Sequence, residues 1–297
     1  MNSLNLILDG NNTIFRAYHV TKGSQMVNGV NITVVTQFLR MVKGYIESFK
    51  PNHVYIVWDK RLNPTGDNYR KELVDYKGHR NIEDDVRNEI FDAIDLIIEL
   101  TQHLGIKNMY PWNLEADDVA AYLTTTLEGD KVVISSDRDL LQLASENTVV
   151  FNTTKNVKVT LENFEEFTGV PKECFVDYKA ILGDKSDNVI GLDRYGEVKS
   201  KRLAISKEWD TLTTDQVDIL KRNRKIMDLT KSIALSEGEI ESYDTQLDEL
   251  VETNTFNESE LRSMCDTYRL TAVTRDITSW RSLLNNKNLL EEWFSFS

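Results

Sequence analysis

The sequence predicts an α/β fold: a mostly parallel central sheet with helices on both faces, followed by a helical region. Three observations carry that prediction. Short apolar runs alternate with longer helical patterns through the first 150 residues, and that alternation builds a parallel sheet wound with helices. Several of the runs end directly in an acid, at Asp9, Asp59 and Asp137. After about residue 170 the strand-like runs stop and helical patterns continue alone.

In chain order, "LNLILD" (4–9) is the first strand, and a helical pattern follows over 32–49. "HVYIVWD" (53–59) is the next strand and 83–104 the next helix. A strand near 106–110 leads into a helix over 116–128. "KVVISSD" (131–137), a helical stretch at 138–145 and "TVVF" (148–151) complete the sheet. Beyond it, apolar residues at helical spacing mark 172–182, 198–206, 213–230, 258–269 and 279–293. A boundary near 180 divides an α/β domain (1–180), with an arch region at about 60–90, from a helical domain (181–297).

A 40% hydrophobic and 28% charged composition describes a globular chain. Cys174 and Cys265 lie far apart without metal-ligand spacing, which points to a reducing cytoplasm and no disulfide framework. Asp9 interrupts any signal-like stretch, and without a run of 18 apolar residues no membrane span is expected. The net charge of −13 argues at first against a nucleic-acid partner. Nine of the acids fall within 237–261, a segment with no base, and without it the charge is −4. That segment reads as a solvated face.

The stretch "NLEADDVAAYL" (113–123) sets Glu115, Asp117 and Asp118 at the start of a helix. Ligands of open α/β sheets bind outside the carboxyl ends of the strands, so these acids should gather with Asp9, Asp59, Asp137 and Asp139 along one edge. "GDKSDN" adds Asp184 and Asp187. Any one of these acids alone reads equally as a helix cap or a strand-end residue. Nine converging carboxylates would repel strongly without cations. Oxygen donors without nearby His or Cys select Mg²⁺, with Mn²⁺ able to substitute, over Zn²⁺, and two such ions suit phosphoryl chemistry. Two other phosphate chemistries fail on the residues. Asn11 stands where a haloacid-dehalogenase phosphatase needs its second acid, and Glu197 where a Walker A loop needs Lys.

"LILDGNN", "VWDK", "DYKGHR", "EADDVAAYL", "ISSDRDLLQL" and "AILGDKSDNVIG" together resemble, in order and spacing, the 5′-nuclease family. That family holds flap endonucleases, bacteriophage 5′–3′ exonucleases (some described as ribonuclease H) and the nuclease domain of bacterial DNA polymerase I. The resemblance spans about residues 4 to 205 and implies a PIN-like nuclease core. By that resemblance Asp9, Asp59, Glu115, Asp117 and Asp118 serve catalytic metals, Asp137 and Asp139 lie near both, and Asp184 and Asp187 complete the outer positions. It also implies cleavage where single-stranded 5′ DNA meets duplex, leaving 5′-phosphate and 3′-hydroxyl ends, with RNA–DNA hybrid as a further substrate. A monomer active in phage DNA replication, helped by a single-strand binding protein or a clamp, completes the expectation.

"YRKELVDYKGHR" (69–80) corresponds to the family's arch. Lys77 and Arg80, spaced i, i+3, would share a helix face and orient the scissile phosphate. Tyr76 would stack on an unpaired base, and Arg16 is a further phosphate contact. "NVIGLDRYGEVKSKRLA" (188–204) falls where the family has its helix–three-turn–helix element, which grips duplex phosphates. Lys199, Lys201 and Arg202 keep its basic character. The tight Gly-x-Gly is missing there, so the K⁺ site of some relatives stays open. Two alternatives remain. A PIN-type ribonuclease shares the core and the acids, and a non-catalytic branched-DNA-binding protein would share the surface.

Overall fold

The computed structural model of the chain describes residues 3–21, 23–78, 84–253 and 255–285. The first strand, β1 (Leu4–Asp9), leads into α1 (Gly10–Val20), a short hairpin of β2 (Met26–Val27) and β3 (Val30–Asn31), and α2 (Ile32–Phe49). Then come β4 (His53–Val57), α3 (Arg70–Leu73), α4 (Asp84–His103), β5 (Lys107–Met109), α5 (Ala116–Thr126) and β6 (Asp130–Ser135). A short 3₁₀ turn over 139–143 stands where a helix was expected, before β7 (Thr148–Asn152) and the unanticipated β8 (Val157–Val159).

The central sheet has the order β5-β4-β1-β6-β7-β8. All neighbours in it are parallel except β8, which runs antiparallel to β7 at the edge. Leu6 and Leu8 of β1 enter one core and Ile7 the other. Both faces are thus buried, and Leu6, Ile7 and Leu8 are apolar in succession rather than alternating. Helix α2 shows why its pattern was legible. Asn31 caps it by accepting from Thr33 N, and Val34, Val35, Phe38, Leu39, Val42 and Ile46 fall on one buried stripe. Each such side chain contributes about 1.5–3 kcal/mol of burial. Phe38 stacks on Trp58 at 5.6 Å between ring centroids.

The remaining chain is mostly helical: α6 (Phe164–Thr168), α7 (Phe175–Leu182), α8 (Glu197–Ser206), α9 (Thr214–Met227), α10 (Leu229–Ser232), α11 (Glu239–Thr253), α12 (Glu258–Thr267) and α13 (Thr271–Asn285). One two-residue hairpin, β9 (Gly183–Asp184) with β10 (Val189–Ile190), interrupts it. The helix expected over 213–230 breaks at Asp228, whose side chain caps α10. The last helix begins earlier than expected, at Thr271, and residues 286–293 of that expectation lie outside the described residues. Each core draws on both parts of the sequence. Helices α12 and α13 pack with α2 and α4, and residues of α7 to α10 pack with α5. The boundary expected near 180 therefore falls inside a packed core, beside the buried Ile181.

The acidic run at 237–261 is not wholly a solvated face. Glu239 is fully buried. Its carboxylate accepts from the backbone N–H groups of Trp112, Asn113 and Leu114, fixing the loop that enters α5. Both cysteines are unpaired and buried. Among the described residues no helix is long and apolar enough to cross a membrane.

Candidate active site

Eight of the nine expected carboxylates line one cleft: Asp9, Asp59, Glu115, Asp117, Asp137, Asp139, Asp184 and Asp187. The cleft encloses about 470 Å³ and lies at the carboxyl ends of β1, β4 and β6, where the strand order switches direction.

Each acid is placed by local structure. Asp9 ends β1 and caps α1, accepting from Asn12 N at 2.9 Å and from Ser135 Oγ at 2.8 Å. Asp59 accepts from Ala116 N at 2.8 Å, joining the end of β4 to the start of α5. Asp137 accepts from Asp139 N at 2.8 Å. Asn12, not anticipated from sequence, bridges to Ser136.

Burial and like charge act together on the inner acids. Burial pushes Asp9 up to about 7, with the Asp59 and Asp137 carboxylates adding to the shift. Asp117 is held well above the ordinary carboxylate value by burial and by Asp137, Asp9 and Asp59. Burial would also raise Glu115, but Lys77 and Arg70 outweigh it and hold Glu115 low. Among the described residues no Lys or Arg makes an ion pair with Asp9, Asp117 or Asp137. The outer end differs. Lys179 Nζ lies 2.8 Å from Asp139 and 3.1 Å from Asp184. Asp139 still stands at about 6, because burial exceeds the lowering effect of Lys179. Asp184 is held low by Ser186 and Lys179 against a burial effect that would raise it.

Asp118, expected as a metal ligand, is a correction. It is fully buried outside the cleft. Arg70 binds it in bidentate fashion at 2.8 and 2.7 Å, Ser232 Oγ donates to it, and Glu115 N donates at 3.1 Å. Arg70 also donates to Ile226 O at 2.9 Å, so this knot ties α3, α5, α9 and α10 together. One residue of helical rotation separates Asp117, facing the cleft, from Asp118, facing the core.

The basic residues also fall differently from expectation. Lys77 does line the cleft, with Nζ 2.6 Å from Glu115 Oε1. It sits in a turn with φ of 57°, not on a helix shared with Arg80, and Arg80 lies outside the described residues. Burial would lower the Lys77 ammonium, but Glu115, Asp187 and Asp59 hold it above its ordinary value. Tyr76 donates its hydroxyl to Glu115 at 2.9 Å and to Asp187 at 3.2 Å, so it braces the acids as well as lining the cleft. Arg16 is absent from the cleft lining and faces a separate groove. Lys199 and Arg202 are exposed on α8, whereas Lys201 pairs with Glu197 at 2.8 Å.

Sequence reasoning missed Arg70 and Lys179. Each is a lone base among acids whose partner is remote or on another element, so spacing carries little signal. For Lys179 the signal was present as "YKAILGD", a base five residues before Asp184.

Comparison with known proteins agrees with this geometry. The family model of the 5′-3′ exonuclease, N-terminal resolvase-like domain, matches residues 4–169. A 5′-3′ exonuclease of Bacillus subtilis (strain 168) is 35% identical over 218 residues, covering 70% of this chain and 71% of that protein. The DNA polymerase I of Streptococcus pneumoniae serotype 4 is 32% identical over 216 residues, covering 67% of this chain but 23% of the polymerase. Among solved structures, the T5 D15 protein shares the fold with a TM-score of 0.68 at 20% identity, covering 85% of this chain and 100% of that one. The matched residues include the strand ends and the start of α5 that build the cleft, and the chain belongs to the 5′-3′ exonuclease family of nucleases.

Proposed function

We propose that the chain is a Mg²⁺-dependent, structure-specific 5′-nuclease. Its substrate is DNA in which a single-stranded 5′ segment meets duplex, with RNA–DNA hybrid as a second substrate. It leaves 5′-phosphate and 3′-hydroxyl ends and acts as a monomer in phage DNA replication. The observation that carries the reading is the cleft itself, in which eight carboxylates converge around Asp9, Asp117 and Asp137, with which no Lys or Arg among the described residues pairs. The T5 D15 flap endonuclease, of the same fold, has been crystallised with DNA and metal ions.

The donor set fits a hard divalent cation, being all carboxylate oxygen. Among the described residues no three such side chains are gathered tightly enough to hold one ion as they stand, so ion binding calls for side-chain rotation. Asp9, Asp117 and Asp137 would hold the inner ion, Asp59 and Glu115 would support it, and Asp139, Asp184 and Asp187 would serve the outer one. When bound, two ions supply a nucleophilic hydroxide and stabilise the leaving oxygen.

This chain's own residues then position the substrate. Lys77 can exchange its contact with Glu115 for a phosphate oxygen and so stabilise the charge that develops there, and Arg80 would act on the same phosphate. Tyr76 presents a ring at the cleft for an unpaired base. Lys199 and Arg202 face solvent, free to meet duplex phosphates. The turnover of a 5′-flap, a hybrid and single-stranded RNA, each in Mg²⁺ and in EDTA, tests the reading. Metal-dependent cleavage at the flap junction is the expected result. Cleavage of RNA alone would favour the PIN-type ribonuclease, and binding without turnover the non-catalytic alternative.

A further inference from the structure

Helix α1 separates two concavities. Asn11, Asn12 and Phe15 line the carboxylate cleft, while Arg16 and Val20, further along the helix, line a second groove. From Asn12 to Arg16 is a single helical turn, about 6 Å along the axis. The groove has a volume of about 630 Å³ and is walled by α2 and by β7 and β8.

Its chemistry is the reverse of the cleft's. Arg16, Arg40 and Lys158 line it, and no carboxylate does, in a chain with 48 acids and 35 bases. One terminal guanidinium nitrogen of Arg16, Nη1, is buried without a hydrogen-bond partner. A buried donor without an acceptor is costly to maintain, and a side-chain shift that turns Nη1 into the groove would let an anionic oxygen satisfy it. The wall is aromatic: Phe151 meets Phe49 edge-on at 5.4 Å and Tyr45 at 6.2 Å. Lys158 Nζ lies 5.1 Å from the centre of the Phe49 ring.

We propose that this groove binds a single-stranded segment of the nucleic-acid substrate, one turn of α1 away from the carboxylate cleft. Cations beside half-buried aromatic rings suit a single strand: phosphates meet the charges and bases pack on the part of each ring that the groove leaves open. The volume accommodates a unit of nucleotide size. Charge complementarity selects this occupant, since a polyanion satisfies all three cations at once. The inference rests on the nuclease reading only in taking nucleic acid as the ligand.

The test compares two duplexes by fluorescence anisotropy in EDTA, so that no turnover enters. One carries a single-stranded 5′ arm of about ten nucleotides, and the other has the arm cut back to one. The double substitution Arg16→Gln, Lys158→Gln is expected to weaken binding of the long-armed duplex about tenfold. It should also flatten the plot of log K against log salt by about 1.4, for two single-strand phosphate contacts. The short-armed duplex should bind unchanged, and turnover of a saturating flap in Mg²⁺ should be retained. If the double variant does not fold, Lys158→Glu, at an exposed position, decides alone through the same arm dependence. Equal losses on both duplexes, or no loss on either, overturns the proposal. So does competition against the long-armed duplex by an acidic peptide but not by a free single-stranded oligonucleotide. Failure of the nuclease reading would show separately, as wild-type protein that does not turn over the flap in Mg²⁺.

Discussion

The inner and outer ends of the cleft carry the same kind of charge and differ in what neutralises it. At the outer end Lys179 stands between Asp139 and Asp184, and Tyr76 braces Asp187. At the inner end Asp9 and Asp117 crowd against Asp59 and Asp137, and their acidity is suppressed by burial and repulsion. The outer acids are in part balanced by the protein, whereas among the described residues no Lys or Arg pairs with Asp9, Asp117 or Asp137. A further acid, Asp118, shows the limiting case. Fully matched by Arg70 and Ser232, it has no capacity left for an ion and serves the fold.

The sharpest way to test that division is at the inner end. Asp137→Ala should lower turnover by about a thousandfold or more while substrate binding stays within about an order of magnitude, because the lost contact acts in the transition state. Single-turnover rates beside anisotropy would show this, and near wild-type turnover would remove Asp137 from the site.

Asp118→Ala should act on stability. It leaves the buried Arg70 guanidinium without its partner, a loss of about 3–5 kcal/mol, read as a lower denaturant midpoint. If Asp118→Ala instead keeps its midpoint and changes only the metal requirement, Asp118 belongs with the inner acids after all.

A pH series reads the acids that burial raises, Asp139 at the outer end included, without mutation. Asp9, at about 7 when folded, lies above its ordinary 3.8. Between those values the folded state binds more protons than the unfolded state, so stability falls as pH rises through that window. In EDTA the melting temperature should therefore be higher near pH 5 than near pH 8, with Asp117 contributing in the same direction. Saturating Mg²⁺ should reduce the difference. A melting temperature in EDTA that rises over this range would contradict the account of the inner acids.

Asp187→Ala probes the braced end. It should raise the half-activating Mg²⁺ concentration about tenfold, a change of about 1.4 kcal/mol, with activity partly restored at high Mg²⁺ or Mn²⁺. An unchanged metal titration would place Asp187 outside the ion sites.

The smallest effect is expected on α8. Lys199→Ala should weaken duplex binding a few-fold and reduce the salt slope by about 0.9. Lys201→Ala should change the slope less, because its charge is already matched by Glu197. Equal slopes for both variants would show that the Lys201–Glu197 pair opens on binding.

Legibility followed the range of the interaction. Strand ends announced Asp9, Asp59 and Asp137, because an apolar run closed by an acid is a local pattern. The stripe of α2 could be read for the same reason. The acidic segment misled because composition does not say which single residue turns inward, and Glu239 does so to hold the loop before α5. The arch misled because the left-handed turn at Lys77 is fixed in part by a bond from its backbone N–H to Asp187 O, 110 residues away.

What the sequence determined by itself was the alternation of strands and helices, the edge on which the acids meet, and the chemistry those acids share. These follow from periodicity and from the rule that parallel strands present their carboxyl ends to ligands. Tertiary structure alone decided which acids face solvent, which base neutralises which acid, and that Arg16 faces a groove instead of the cleft. Those outcomes turn on helical rotation and on contacts between distant segments. Asp117 and Asp118 are neighbours in sequence and of one residue type, yet the direction in which each side chain leaves α5 separates a cleft carboxylate from a structural one.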